Sequence, residues 1–351
     1  MTATANDPHK FLEDVLGEDS LKWVNERNAD CISKFGDPTL TEDYKRILAI
    51  LDSKDKIPSV AQIGNPENGM YYNFWQDDKH VQGIWRKTTL ESYRTADPQW
   101  KTVLDLDALD PPTTDTASTW VWHGSSLLDE GPGTVCDRAL IALSPGGSDA
   151  DTRREFDVVN EKFVEEEDGG FAMPTAAKTS LAYRSRDEVL VGTDFEGDGS
   201  SMTDSGYARV IKSWKRGTPI SEAKVVFEAE QDDIAGGQWA YHDRDGICHE
   251  FQTRSVTFYT SKYFYRSLTM EQIATTTADK ETTPFQPVPI PDDAELSTFG
   301  NDATISLRSD WTPPGCIDDE DTTLSTWHLA TLQKSCSACK VRPTWFYFTP
   351  S

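Results

Sequence analysis

The period of the hydrophobic positions changes near residue 57. Before it, Phe11, Leu12, Val15 and Leu16 share one helical face until Gly17 interrupts. After Asp19 or Ser20 a second run sets Leu21, Val24, Asn28, Ile32 and Phe35 at helical spacing, and Gly36 ends it. Thr39-Leu40-Thr41-Glu42 reads as a capping box for a third helix, whose Tyr44, Ile47, Leu48 and Leu51 form an apolar stripe. Such stripes need a cover, either from the rest of the chain or from a partner.

Beyond Ile57 the spacing falls to two, and short β-branched and aromatic runs alternate with turn residues. The pattern predicts strands at Lys101 to Leu106, Thr119 to Trp122, Arg138 to Leu143, Glu155 to Val159, Leu181 to Arg184, Glu188 to Gly192, Tyr207 to Trp214, Lys224 to Glu228, Gly237 to Tyr241, Ser255 to Thr260 and Tyr263 to Ser267. Turns follow at Ser144-Pro145-Gly146-Gly147 and Asp243-Arg244-Asp245-Gly246. Thr275 to Pro291, rich in Thr and Pro, reads as an extended crossing loop.

Two more strands, Tyr71 to Trp75 and Val81 to Trp85, flank the polar turn Gln76-Asp77-Asp78-Lys79 and make a hairpin. Trp85-Arg86-Lys87-Thr88 at its end is echoed by Trp214-Lys215-Arg216-Gly217-Thr218. A hairpin word that returns after more than a hundred residues of strand and turn favours the blades of a β-propeller over a sandwich. Grouped in fours, the strands make four blades, with a fifth begun at Ala294 to Leu307. No Trp-Asp dipeptide occurs, which argues against the WD40 variant.

Three stretches carry a family resemblance: DPHKFLEDVLGEDSLKWVNERN, YYNFWQDDKHVQGIWRKTTLESYR and VGTDFEGDGSSMTDSGYARVIKSWKRGTP. They resemble the N-terminal part of the prolyl oligopeptidase family of serine peptidases, in which a seven-bladed propeller sits over an α/β-hydrolase domain and admits only short peptides. The resemblance runs from about Asp7 to Thr312 and implies a mainly β fold: an incomplete propeller of about four to five of seven blades with an N-terminal α-helical arm. The expected domains are the arm at 1–56, the blades at 57–312 and a divergent tail at 313–351 that is open to disorder. The resemblance implies a substrate-filtering role for short peptides, with the hydrolase domain, expected to be absent from this chain, as packing partner of the arm. The alternative is a non-enzymatic propeller scaffold that binds a peptide or protein.

Charge narrows the partners. With 59 acidic and 34 basic residues the formal charge is −25, a field that repels nucleic acid and anionic membranes and favours cationic peptides. No run of about 18 apolar residues occurs and the first residues lack the apolar core of a secretory signal, so the expectation is a soluble, cytoplasmic protein. Six cysteines in so long a chain are expected as thiols.

Catalytic chemistry of the hydrolase kind needs a serine at a G-x-S-x-G elbow followed by an acid and a histidine. No such word occurs. The nearest, Gly124-Ser125-Ser126-Leu127-Leu128 and Gly199-Ser200-Ser201-Met202-Thr203, lack the closing glycine and a strand-to-helix context. No catalytic, cofactor or metal residue is assigned, and no cofactor is expected. The histidines, His9, His80, His123, His242, His249 and His328, read as structural. His242, His249 and Cys248 suggest a metal only weakly, because a hairpin turn lies between the two histidines. Cys316, His328, Cys336 and Cys339 have gaps that match no familiar zinc module. Asp194-Phe195-Glu196-Gly197-Asp198-Gly199 looks like a calcium loop, yet Ser205 stands where an EF-hand needs glutamate, so an acidic turn is expected.

Overall fold

The computed structural model describes residues 7–53, 55–64, 69–110, 119–275, 283–299 and 302–311, and the backbone of strands at 327–331 and 345–347. The chain divides into two compact units, one of Met1–Pro58 with Gln76–Val81, the other of Ser59–Trp75 with Gln82–Ser351.

The first unit holds the arm. Helix α1 (Glu18–Phe35) starts at Gly17 and stops at Gly36, whose φ of 87° only glycine adopts readily and whose amide closes on Ile32 O at 2.8 Å. Helix α2 (Glu42–Leu51) is capped by Thr41, whose Oγ1 accepts from the Tyr44 amide. The capping box predicted from Thr39 is therefore displaced by two residues. Thr39 instead lies in a 3-10 turn, Pro38–Leu40, that Asp37 caps. The two apolar stripes stay largely exposed: Leu21, Val24, Ile32, Ile47, Leu48 and Leu51 each keep more than a third of their surface.

Among the described residues the second unit forms five sheets in chain order, antiparallel except for one parallel pair in the fifth. The first sheet contains β1 (Ala61–Ile63), β2 (Met70–Trp75), β3 (Ile84–Thr88) and β4 (Lys101–Asp105), with the short helix α3 (Leu90–Tyr93) between the last two. The second contains β5 (Trp120–Leu127), β6 (Arg138–Pro145), β7 (Asp151–Asp157), β8 (Lys162–Phe163) and β9 (Ala172–Ala177), the last pairing with β7. The third runs β10 (Ser180–Ser185), β11 (Glu188–Gly192), β12 (Val210–Lys215) and β13 (Lys224–Glu228). The fourth runs β14 (Ala235–His242), β15 (Ile247–Ser255), β16 (Ser261–Thr269) and β17 (Gln286–Pro287), helix α4 (Met270–Thr275) following β16. The fifth pairs β18 (Glu295–Phe299) with β19 (Asp302–Ser306), then β20 (Trp327–Thr331) and, in parallel, β21 (Trp345–Tyr347).

β6 and β11, each the second strand of its sheet, are covered on both faces and so read as unbroken apolar runs: Ala139, Leu140, Ile141 and Ala142 are at most 1% exposed, and Val189, Leu190 and Val191 are fully buried. Apolar clusters fill the spaces between neighbouring sheets, with Trp85, Ile141 and Phe156 at the first junction, Leu140, Phe171, Val189 and Trp214 at the second, and Phe251, Leu296 and Ile305 at the fourth. Gly192 allows close packing on β12: a Cβ there would stand 2.6 Å from Ile211 Cδ1.

The recurring hairpin word falls on equivalent strands, Trp85 on β3 and Trp214 on β12, each the third of its sheet. The cations after it do not correspond. Arg86 is buried, its guanidinium 4.1 Å from the Trp75 ring and 4.2 Å from Trp100, whereas Lys215 is exposed.

Several strand boundaries differ from the sequence reading. The second strand of the opening hairpin begins at Ile84, because Gln82 and Gly83 donate their amides to Asp107 rather than to a strand. Ile247–Ser255 is a full strand that the reading missed, and the strand expected from Ser255 to Thr260 is the turn after it, closed by Val256 N to Thr260 O. Buried Glu250 and Gln252 hid β15 from a search for alternation. Within the Pro-rich stretch, Gln286–Pro287 is the edge strand of the fourth sheet, where a proline needs no ladder donor. Two strands within 313–351, β20 and β21, pair onto the fifth sheet.

Candidate functional site

Among the described residues the first strand of each sheet has one edge without a strand partner, and the first strands β5, β10 and β14 pack in succession. The chemistry of the described residues gathers at their flanks, in the junctions between sheets.

At the junction of the second and third sheets, Glu155 on β7 is wholly buried. Arg216, just past β12, forks onto it, Nη1 to Oε2 at 2.7 Å and Nη2 to Oε1 at 2.8 Å, and Tyr183 donates its hydroxyl to Oε1 at 2.8 Å. A bidentate guanidinium is the partner that compensates a buried carboxylate. Burial and the Glu155 charge push the Tyr183 phenol well above its ordinary value, so it stays a donor.

At the next junction Arg184 on β10 binds Glu188 through Nη1 at 2.8 Å and Glu250 of β15 through Nε, with Nη2 to Glu250 Oε2 at 3.3 Å. Arg266 of β16 holds Glu250 Oε2 at 2.6 Å, and Ser213 donates to Glu188. Cys248 lies beneath this group, its Sγ 3.9 Å from Arg184 O, and burial raises its thiol far above the usual range. Such a thiol is inert.

Loops that follow the first strands lock to one another on one side of the sheets. His242 Nδ1 meets Asp129 O at 3.0 Å, the Arg186 amide donates to Glu130 Oε1 at 2.8 Å, and Arg186 Nη2 reaches Asp137 at 2.8 Å. Gly131 permits this closeness, since a Cβ there would lie 2.9 Å from Asp243 O.

The residues weighed for catalysis do not assemble into a nucleophilic site. Ser125 and Ser126 lie within β5 rather than on an elbow. Ser201 is 7% exposed, donates to Thr193 O and accepts from the Phe195 amide. His249 uses both ring nitrogens, Nδ1 with Tyr265 OH at 2.7 Å and Nε2 with Asp243 Oδ2 at 2.9 Å, which leaves no lone pair for a metal shared with His242. Asp194 accepts from the Gly197 and Gly199 amides, the acidic turn that was expected. His9 and His80 sit beside Asp7 and Asp77, and His123 lies 3.4 Å from Asp151. Cys316, Cys336 and Cys339, and the side chain of His328, lie outside the described residues. Among the described residues no three metal-ligating side chains gather to hold an ion, and no helix is long and apolar enough to cross a membrane.

Glu155, Arg184, Arg216 and Glu250 were missed in the sequence. For Arg184 and Glu250 the signal is a lone charge inside an apolar strand word, Leu181-Ala182-Tyr183-Arg184 and Cys248-His249-Glu250-Phe251, whereas Glu155 and Arg216 stand beside other charges. For Glu155 the counter-ion comes from the neighbouring sheet, and Arg184 and Glu250 also meet across sheets.

The comparisons agree with this architecture. The family model for the prolyl oligopeptidase N-terminal beta-propeller domain matches residues 2–285. An uncharacterized peptidase of Sinorhizobium fredii is 35% identical over 314 residues, covering 88% of this chain and 39% of that protein. One from Rickettsia prowazekii is 28% identical, covering 86% and 40%. The chain thus spans about two fifths of the length of these relatives. Among solved structures, a post-proline cleaving enzyme from Rickettsia typhi matches with TM-score 0.69 and 26% identity over 86% of this chain and 41% of that one. By these matches and by its consecutive fastened meanders, the chain belongs to the prolyl oligopeptidase family, within the N-terminal β-propeller domain of those peptidases.

Proposed function

We propose that this chain is the substrate-filtering part of a prolyl oligopeptidase-like serine peptidase that acts on short peptides. The observation that carries the reading is that successive sheets are fastened by buried ion pairs while the first strands keep an open edge, in a chain of that family. A wall of packed sheets excludes by width, so folded proteins stay out and short chains pass. The net charge of −25 adds an electrostatic preference for cationic peptides.

The hydrolysis itself belongs to an α/β-hydrolase domain, for which the relatives, more than twice as long, have room. The exposed stripes of α1 and α2 are the arm's contribution to that contact, with Ile47 at 58% and Leu51 at 62% exposure. This chain alone is expected not to cut peptides.

The test is a segment exchange. This chain replaces the matching segment of the Sinorhizobium relative, and hydrolysis is followed on peptides of rising length and on unfolded casein. The reading expects cleavage that falls steeply with length and favours lysine- and arginine-rich peptides. Casein cut as fast as an octapeptide would sink it.

A further inference from the structure

The connection between the first and second strands is short in the third and fourth sheets: two residues, Arg186 and Asp187, in one and four, 243–246, in the other. In the second sheet it runs to ten residues, 128–137. The ladder does not require that length, because the Leu128 amide already pairs with Arg138 O at 2.9 Å and a two-residue hairpin could close there.

The long connection lies across the ends of its neighbours. Toward the first sheet, Cys136 packs into the apolar junction, and the Gly64 amide, just past β1, donates to its sulfur. Over the third sheet, Arg186 holds it at three points: the amide on Glu130 Oε1, and Nη2 on Val135 O at 3.2 Å and on Asp137 Oδ1 at 2.8 Å. At the fourth sheet, His242 Nδ1 donates to Asp129 O at 3.0 Å. Gly131, at φ 92°, seats against the turn after β14 so closely that a Cβ would stand 2.9 Å from Asp243 O and 3.6 Å from Gly246 Cα. Inside the connection, the Thr134 hydroxyl donates to Gly131 O at 2.7 Å and the Gly131 amide to Asp129 Oδ1 at 2.9 Å. One connection thus touches four consecutive sheets, and in the first, third and fourth it meets the end of the first strand or the turn that follows.

Blades of a propeller surround a central channel, and the strands nearest its axis are those that pack on one another from sheet to sheet. Here these are β5, β10 and β14. A segment laid over their ends lies over one mouth of the channel. Its crest, residues 132–135, is exposed, as a segment over an opening must be.

We propose that residues 128–137 form a strap across one mouth of the channel and set the length of peptide that enters there. The strap has this role only if the domain filters peptides, and within that reading it is the segment that limits the width.

The test uses the segment-exchanged peptidase and reads the ratio of kcat/KM for a peptide of about thirty residues to that for an octapeptide. Gly131→Ala drives the strap from its seat on Asp243. Gly133→Ala is the control: its φ of 82° carries a similar backbone cost, but its Cβ would meet nothing within 4 Å. A third variant replaces residues 129–137 by Asn-Gly and removes the strap; the two point variants carry the test should that chain not fold. Expected is a ratio that rises about fivefold in Gly131→Ala, further without the strap, and not at all in Gly133→Ala. Variants that melt cooperatively yet keep the parental ratio, in a parent that discriminates steeply by length, would overturn the strap and leave the filter standing. Equal rises in Gly131→Ala and Gly133→Ala would trace the effect to backbone strain and overturn it as well. A parent with no length dependence would overturn the filtering reading, and the strap with it.

Discussion

Glu155 and Arg216 meet through two parallel hydrogen bonds, at 2.7 and 2.8 Å, across the junction of the second and third sheets, with the carboxylate fully buried. Arg216→Met leaves that carboxylate without a cation. The expected loss is about 3 kcal/mol of unfolding free energy. Glu155→Gln in the same chain should restore part of it, and a double-mutant cycle in urea checks both numbers. An Arg216→Met protein as stable as the parent would show that the pair contributes nothing.

Stability should fall with acid below neutral pH because of one buried histidine. Burial lowers His249 from its usual value despite the hydrogen bond from ring to Asp243. A neutral imidazole with its proton on Nε2 donates to Asp243 and accepts from Tyr265 OH at Nδ1. The unfolded chain binds a proton near pH 6.5 and the folded one only at lower pH, so stability declines as pH drops from about 6.5. Asp243 acts lower on the scale: burial opposes its ionisation, but the His249 bond and the Ile247 and Asp245 amides outweigh it and hold its carboxyl below the ordinary value. Its contribution is complete above about pH 4 and is lost as pH falls through the lowered value. Thermal melts from pH 8 to 5 should show the first slope, and His249→Gln should flatten it.

A methyl at position 192 has no room. Gly192→Ala would set Cβ at 2.6 Å from Ile211 Cδ1 and 2.9 Å from Ala208 Cβ. Because the site lies between two packed strands, a cost of about 1–3 kcal/mol is expected in chemical denaturation. No change in midpoint would mean that β12 yields more easily than its burial implies.

The exposed apolar stripes of the arm predict self-association of the isolated chain. Ile47→Lys with Leu51→Lys should shift sedimentation toward the monomer and leave the far-ultraviolet dichroism of the sheets unchanged. Association unaffected by these charges would direct attention to the sheet edges instead.

Neither serine weighed as a nucleophile among the described residues is set up as one, and a fluorophosphonate probe is expected to leave the chain unlabelled. Ser201 is hydrogen-bonded and buried, and Ser125 lies mid-strand with no helix behind it. Stoichiometric labelling mapped to either residue would refute the assignment.

Periodicity alone determined the helical arm, the change to strands near residue 57 and the glycine stops, because these depend on neighbours within a few positions along the chain. The start of a fifth sheet at Ala294 to Leu307 was legible for the same reason. What only the tertiary structure decided is how the sheets are fastened. Arg184 and Glu250 stand 66 positions apart, and Glu155 and Arg216 stand 61 apart. A lone charge in an apolar strand looks like a break in the pattern until the adjacent sheet brings its counter-ion. The strand β15 was lost to the sequence reading on that account, since its Glu250 and Gln252 are buried rather than turned to water.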